Sequence, residues 1–199
     1  MSTTAPEITI RPLKPKDWAS IERLFGPRGA CGGCWCMYWR VEKGGQSWDA
    51  LRGQQARRRF RSLVSTGRAS GLLAFARRVP IGWVCVGPCE EFPRLRRVRA
   101  LQRERPPGTW SIVCFYIQPK WRGFGLGTQL LEAARDFAFV RGAVCVEGYP
   151  ANVNRGQKMP GPFVWTGVPA MFAAAGFRSI ACKGSSRRLC ISDPQRDTT

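Results

Sequence analysis

Residues 118–128, Gln-Pro-Lys-Trp-Arg-Gly-Phe-Gly-Leu-Gly-Thr, carry the most legible chemistry in this chain. Gly123, Gly125 and Gly127 alternate with other residues, so the backbone can take positive φ and turn several N–H groups toward one anion without Cβ atoms in the way. A helix starting here adds the partial positive charge of its N-terminus, and a pyrophosphate fits that description. Two nucleotide-binding loops are excluded: a Walker A loop needs Gly-Lys-Ser/Thr, and the dinucleotide fingerprint needs glycine where Thr128 stands. The chain has no histidine, which removes Ser-His-Asp triads, Cys-His dyads, His-ligated metals and any histidine base.

The elements that must position this loop follow from periodicity. Residues 8–13 alternate as a first strand, and Asp17 caps a helix over 18–25. A glycine-rich loop, 26–33, leads into the aromatic segment 34–40, read as core or pocket wall. Residues 47–66 read as one basic helix with Leu51, Phe60, Leu63 and Val64 on its apolar side. Two apolar runs, 71–76 and 81–86, joined by Arg77-Arg-Val-Pro80, have the form of a hairpin. Residues 89–108, rich in Arg and Pro, are expected to be a mobile excursion from the sheet. A strand over 110–117, a helix over 128–141 and a strand over 143–147 form a crossover unit, which implies a parallel strand pair. A short helix over 168–175 and terminal strands near 178–181 and 187–191 close the chain. The fold class is therefore α/β: a mixed, mostly antiparallel sheet with one parallel pair, in a single domain over 1–199.

At 199 residues, 44% hydrophobic and 23% charged, the composition suits one globular domain rather than global disorder. The formal charge of +19 arises mostly from arginine, which numbers 26 against 6 lysines, and arginine pairs bidentately with phosphate and carboxylate. A polyanionic ligand is a natural expectation. Nucleic acid is the weaker one, because the runs at 57–61 and 94–105 have no interleaved aromatic recognition pattern. Nine cysteines, an odd number, with no leader-like apolar run over 1–15, predict reduced, mostly buried thiols and a cytoplasmic setting without a membrane span. Cys31-Gly-Gly-Cys34-Trp-Cys36 hints at zinc, but no second close cysteine pair completes four ligands, so no metal is expected.

In context, 118–128 resembles motif A of the GNAT superfamily of acyl-CoA N-acyltransferases, whose Arg/Gln-x-x-Gly-x-Gly/Ala pattern is met by Arg122, Gly125 and Gly127. Residues 165–177 resemble that family's late helix and its Gly-Phe turn, here Gly176-Phe177, 49 residues beyond Gly127. The likeness runs from Ile8 to about Ile191. More narrowly, residues 34–40, 71–74, 82–84, 114–116 and 147–150 resemble a bacterial branch of the superfamily. The resemblance implies helices on both faces of the sheet and a central parallel pair that splays to admit the pantetheine arm of acetyl-CoA. It also implies pyrophosphate on the amides of Gly123, Phe124, Gly125, Leu126, Gly127 and Thr128, and pantetheine on main-chain groups of Phe115, Tyr116 and Ile117.

The implied reaction is direct attack of a neutral primary amine, from a small molecule or peptide, on the thioester. Glu147 is the preferred base, with Glu90 and Glu91 as alternatives. Many family members place a tyrosine acid where this chain has Phe172, which cannot donate a proton. Tyr149 or Cys114 would then serve the leaving thiolate, unless positive charge and backbone donors stabilise it. Trp35, Tyr38 and Trp39, with Glu90, would shape the acceptor side. A cationic acceptor and an anionic one are both compatible with the composition, and the oligomeric state, a homodimer included, stays open. A GNAT-fold protein that binds acyl-CoA without turnover is the other reading, kept alive by Phe172.

Overall fold

The structure is a computed structural model that describes residues 7–42, 47–151, 165–180 and 188–194. Among the described residues seven strands form one sheet: β1 (Ile8–Pro12), β2 (Gly71–Ala76), β3 (Val79–Pro88), β4 (Thr109–Ile117), β5 (Cys145–Gly148), β6 (Arg178–Ile180) and β7 (Leu189–Ser192), in the spatial order β1-β2-β3-β4-β5-β7-β6. Every neighbouring pair is antiparallel except β4 and β5. The helices are α1 (Trp18–Phe25), α2 (Trp48–Leu51), α3 (Gln54–Ser65), α4 (Leu126–Val140) and α5 (Pro169–Ala174). One face of the sheet buries α1, α3 and the aromatic segment through Trp35, Trp39, Phe60 and Trp83, and the other buries α4 and α5 through Leu130, Leu131 and Phe172. This two-faced layering is the arrangement a mixed sheet requires when both of its surfaces are apolar. No described helix is long and apolar enough to cross a membrane.

Three expectations are corrected. The single helix over 47–66 is two, because Gly53 takes φ +81° and donates its N–H to Gly33 O at 2.9 Å. A Cβ on Gly33 would lie 2.9 Å from that same nitrogen, so a tertiary contact between two glycines overrides local helix propensity. The hairpin turn has two residues, not four, with Arg77 at φ +55°. The expected mobile excursion after β3 is three short 3₁₀ turns whose Phe92, Leu95 and Leu101 are buried, so apolar anchors fix it to the sheet despite its arginines.

Asp17 stands at the N-terminus of α1 but its side chain accepts no amide of that helix, contrary to the expected cap, and turns back toward β1. Its carboxylate accepts from both Arg11 guanidinium nitrogens, at 2.6 and 2.8 Å, and from the Lys14 amide at 2.8 Å. The Arg11 hydrogen bond holds the Asp17 carboxyl below its ordinary range. A carboxyl with a lowered folded-state value contributes stability above its unfolded value and loses it as pH falls through the folded one. Asp17→Asn is therefore expected to destabilise the protein by about 1–2 kcal/mol at pH 7, Arg11 being partly exposed. The difference in melting temperature from the parent should shrink as pH is lowered from 7 toward 3, and a difference independent of pH would refute the assignment.

Candidate active site

The β4–β5 pairing runs only from Thr109 opposite Cys145 to Ile112 opposite Gly148, while β4 continues to Ile117. Beyond Ile112 the two strands part. The chain at 165–167 lies along the vacated edge: Trp165 O accepts from Phe115 N–H at 2.6 Å, and Gly167 O from Ala151 N–H at 3.0 Å. Just before this point β4 bulges, its register against β3 slipping between Cys114 and Ile112 so that Val113 is the extra residue. Trp39 Nε1 donates to the Val113 carbonyl at 2.9 Å and pins the bulge from the aromatic face.

The parting leaves a slot of about 220 Å³ lined by Phe115, Tyr116, Ile117 and Gly127 on one side and Trp165, Gly167, Val168 and Met171 on the other. It opens at Cys31, Tyr116 and Arg122 into a wider cleft of about 630 Å³. That cleft lies between the 27–33 turn, with Arg28 and Trp35, and the start of α3, with Gly53 and Gln54. A narrow apolar slot continuous with a broad polar-edged cleft suits a ligand with a thin arm and a reacting group at the junction.

At the outer end of the slot lies the glycine loop. Gly123 and Gly125 have φ of +84° and +78°, and a Cβ on either would meet nothing within 4 Å. The N–H groups of Gly123, Phe124, Gly125, Leu126 and Gly127 have no acceptor among the described residues, whereas those of Thr128 and Gln129 both donate to Gly125 O. The loop faces outward, with Arg122 through Gly125 exposed. Five open amides at the head of a fifteen-residue helix form an anion nest. Two details differ from expectation. Thr128 N–H is committed within the turn, and Gly127 makes room for Met171 rather than for an anion, since a Cβ there would sit 2.8 Å from Met171 Sδ. The main-chain groups expected to take pantetheine are also partly engaged: besides the Phe115 N–H, Ile117 O accepts from Arg122 Nε at 2.9 Å.

The residues expected to be catalytic lie elsewhere. Glu147 is fully buried and pairs with Arg105 at 2.9 Å and Arg103 at 3.3 Å, and it lines neither cavity. Tyr149, also fully buried, donates to Glu147 Oε2 at 2.9 Å and shares a 2.8 Å hydrogen bond with Ser111 Oγ. Burial first, then the Glu147 charge, pushes the Tyr149 phenol well above its ordinary value. Cys114 sits in an interior thiol cluster with Cys36 and Cys85. A hydrogen bond from Cys36 pulls it down, but burial and the neighbouring thiols outweigh that and raise it to about 11. Each of the three is thus buried and lines neither cavity. On the acceptor side only Trp35 lines the cleft. Tyr38 stacks edge-on against Trp39, Trp48 and Trp165 under the Arg94 guanidinium, and Trp39 is buried behind the bulge. Glu90 is exposed outside both cavities, and Glu91 pairs with Arg40 at 2.7 Å.

Phe172 is fully buried, edge-on to Phe115 and Phe177, and a Cβ on Gly148 would fall 2.0 Å from its ring. The ring therefore fills the point where β5 leaves β4 and presents no polar atom to the slot. Sequence reasoning missed Arg28, Cys31, Gln54 and Trp165. The glycine density of 26–33 was the available signal, because such a turn brings backbone and side chains close to whatever it covers. Three residues near it that are not glycine, Ala30, Trp35 and Cys36, also have positive φ. Strain of this kind concentrates at functional sites. Among the described residues no group of three or more Cys, Asp or Glu is placed to hold a metal ion.

The family model described as "Acetyltransferase (GNAT) family" matches residues 36–154, and the chain belongs to that family. Solved structures share the fold at low identity. The ribosomal-protein-S5-alanine acetyltransferase from Vibrio fischeri superposes with a TM-score of 0.55 at 13% identity, covering 98% of each chain. The PaiA N-acetyltransferase from Thermoplasma acidophilum, in complex with coenzyme A, gives 0.51 at 16%, covering 94% of this chain and 99% of that one. The structure of yncA from Salmonella typhimurium with its cofactor acetyl-CoA gives 0.53 at 15%, covering 96% of both. No curated protein sequence matches the chain.

Proposed function

We propose that this protein transfers an acetyl group from acetyl-CoA to a primary amine of a small molecule or peptide. The observation that carries the reading is the row of open amides from Gly123 to Gly127 at the head of α4, continuous with the slot along the free edge of β4. The diphosphate of the cosubstrate would rest on those amides, with Arg122 adding charge, and its thin arm would run between Ile117 and Met171 toward Tyr116. The coenzyme A and acetyl-CoA held by structural relatives support the same assignment.

Acetyl-CoA supplies an activated acyl group whose thiolate is a fair leaving group. The chain's part is to bring an amine to the junction of slot and cleft, exclude water there, and manage two protons: one leaves the attacking nitrogen and one reaches the departing sulfur. Cys31 and Tyr116 are the proton-bearing side chains that line both cavities. Cys114 and Tyr149 are buried and line neither. With no carboxylate lining the cleft, the ammonium proton passes to water at the open face, and the cationic surroundings of Arg28 and Arg122 favour its loss.

One observation favours a second reading, a non-catalytic acyl-CoA sensor: among the described residues no carboxylate lines either cavity, and Phe172 has no proton to give. Turnover separates the two. Acetyl-CoA incubated with a panel of primary amines should release free thiol faster than its own hydrolysis for at least one amine, and the product should be the N-acetyl compound. Binding of acetyl-CoA with no amine accelerating thiol release would establish the sensor instead.

A further inference from the structure

The wide cleft, on the transferase reading above, is where an acceptor would sit, and its chemistry selects among acceptors. The ionisable side chains lining it are Arg28, Arg122, Cys31 and Tyr116, with Gln54 as a neutral hydrogen-bonding group and Trp35 as an aromatic wall. Among the described residues no Asp or Glu lines it. The adjoining cavity past Pro27 and Trp35 has one carboxylate among its lining residues, that of Glu22, and it is already paired with Arg57, whose Nε lies 3.1 Å from Glu22 Oε1. Arg57 also lies over the Trp35 ring, 5.8 Å from its centroid, so the shared wall carries further positive charge. The whole molecule, at +19, reinforces the sign.

A polyamine or other cationic amine entering here would meet two guanidinium groups and, among the described residues, no carboxylate to pair with. An amine that also bears a carboxylate would find a planar guanidinium able to take it through two parallel hydrogen bonds, with the Gln54 amide in the same cleft. We infer that the acceptor cleft is built for an amine carrying a carboxylate, of the amino-acid class, with Arg28 as the residue that receives the carboxylate and Arg122 left to the cosubstrate side. The two arginines thus divide the junction: one orients the acceptor, and the other faces the slot, where its Nε caps Ile117 O.

The experiment uses product-like probes so that binding can be read without turnover. N-acetyl-L-phenylalanine, its carboxamide and N1-acetylspermidine are each titrated calorimetrically into the full chain at ~0.15 M salt, with and without saturating CoA. The carboxylate probe should bind at least about tenfold more tightly than the carboxamide, and the cationic probe should give no heat. Arg28→Gln should abolish the preference of carboxylate over carboxamide while CoA still binds. Arg28→Lys, which keeps the charge but not the planar fork, should recover part of it. Equal affinities for the two phenylalanine probes, tightest binding of the acetylpolyamine, no binding of any probe, or a preference unchanged in Arg28→Gln would each overturn the inference. Failure of CoA itself to bind would instead sink the transferase reading, and the titrations without CoA would still decide the carboxylate question.

Discussion

Glu147→Gln is expected to lower stability by about 3–5 kcal/mol, the usual consequence of removing one partner from a buried ion pair. Glu147 has no exposure, and its two partners, Arg105 and Arg103, are 11% and 29% exposed as side chains, so water could replace the lost carboxylate only in part. The loss propagates. Tyr149 donates to the same carboxylate, and Arg105 also donates to the Leu101 carbonyl at 2.8 Å, so one substitution loosens the tie between β5 and the 3₁₀ excursion after β3. Thermal unfolding should show a fall of roughly 10 °C for a chain of this size. A base in the reaction behaves differently: Glu147→Gln would then fold as well as the parent and lose turnover alone. Equal stability with abolished activity would return Glu147 to the catalytic role that its place at the end of a central strand first implies.

That contrast marks where sequence reading stops. The sheet, the crossover helix and the glycine loop are local or nearly so: alternation in 110–117, the 3-4-7-8 spacing of Leu130, Leu131, Ala134, Phe137 and Ala138, and the Gly123-Gly125-Gly127 run each sit within one window of chain, and each appears in the structure close to its expected bounds. What the carboxylate at 147 does is decided 42 residues away by Arg105, inside a segment whose composition reads as solvated and mobile. The break at Gly53 is decided by Gly33, and Trp39 is drawn out of the acceptor wall by a carbonyl that only a bulge at Val113 exposes. In each case a long-range polar contact outweighs a local propensity or a residue type, and one sequence without coordinates does not reveal such partners. The wide cleft is the extreme case, since its walls come from the 27–33 turn, the α3 start and β4, and only the glycines of 26–33 announced that something packs closely there.

Gly125→Asp should reduce affinity for acetyl-CoA by at least about a hundredfold. Position 125 has φ +78°, a conformation that Asp and Asn enter more readily than other L-residues, and a Cβ there meets nothing within 4 Å, so the fold should survive. The new carboxylate would stand among the open amides of Gly123 to Gly127, near the expected diphosphate. Two unit charges 4 Å apart repel by about 4 kcal/mol at an effective dielectric of 20, enough for several hundredfold in affinity. Gly125→Asn separates charge from shape: it presents nearly the same side chain without the charge and should lose no more than about tenfold. Raising ionic strength should weaken binding to the parent and narrow the gap between the Asp and Asn variants, because exposed charges are screened. Calorimetric titration with acetyl-CoA at two salt concentrations measures all of this. Equal affinities for the parent and Gly125→Asp would mean that the diphosphate rests elsewhere and that the bend before α4 only turns a corner.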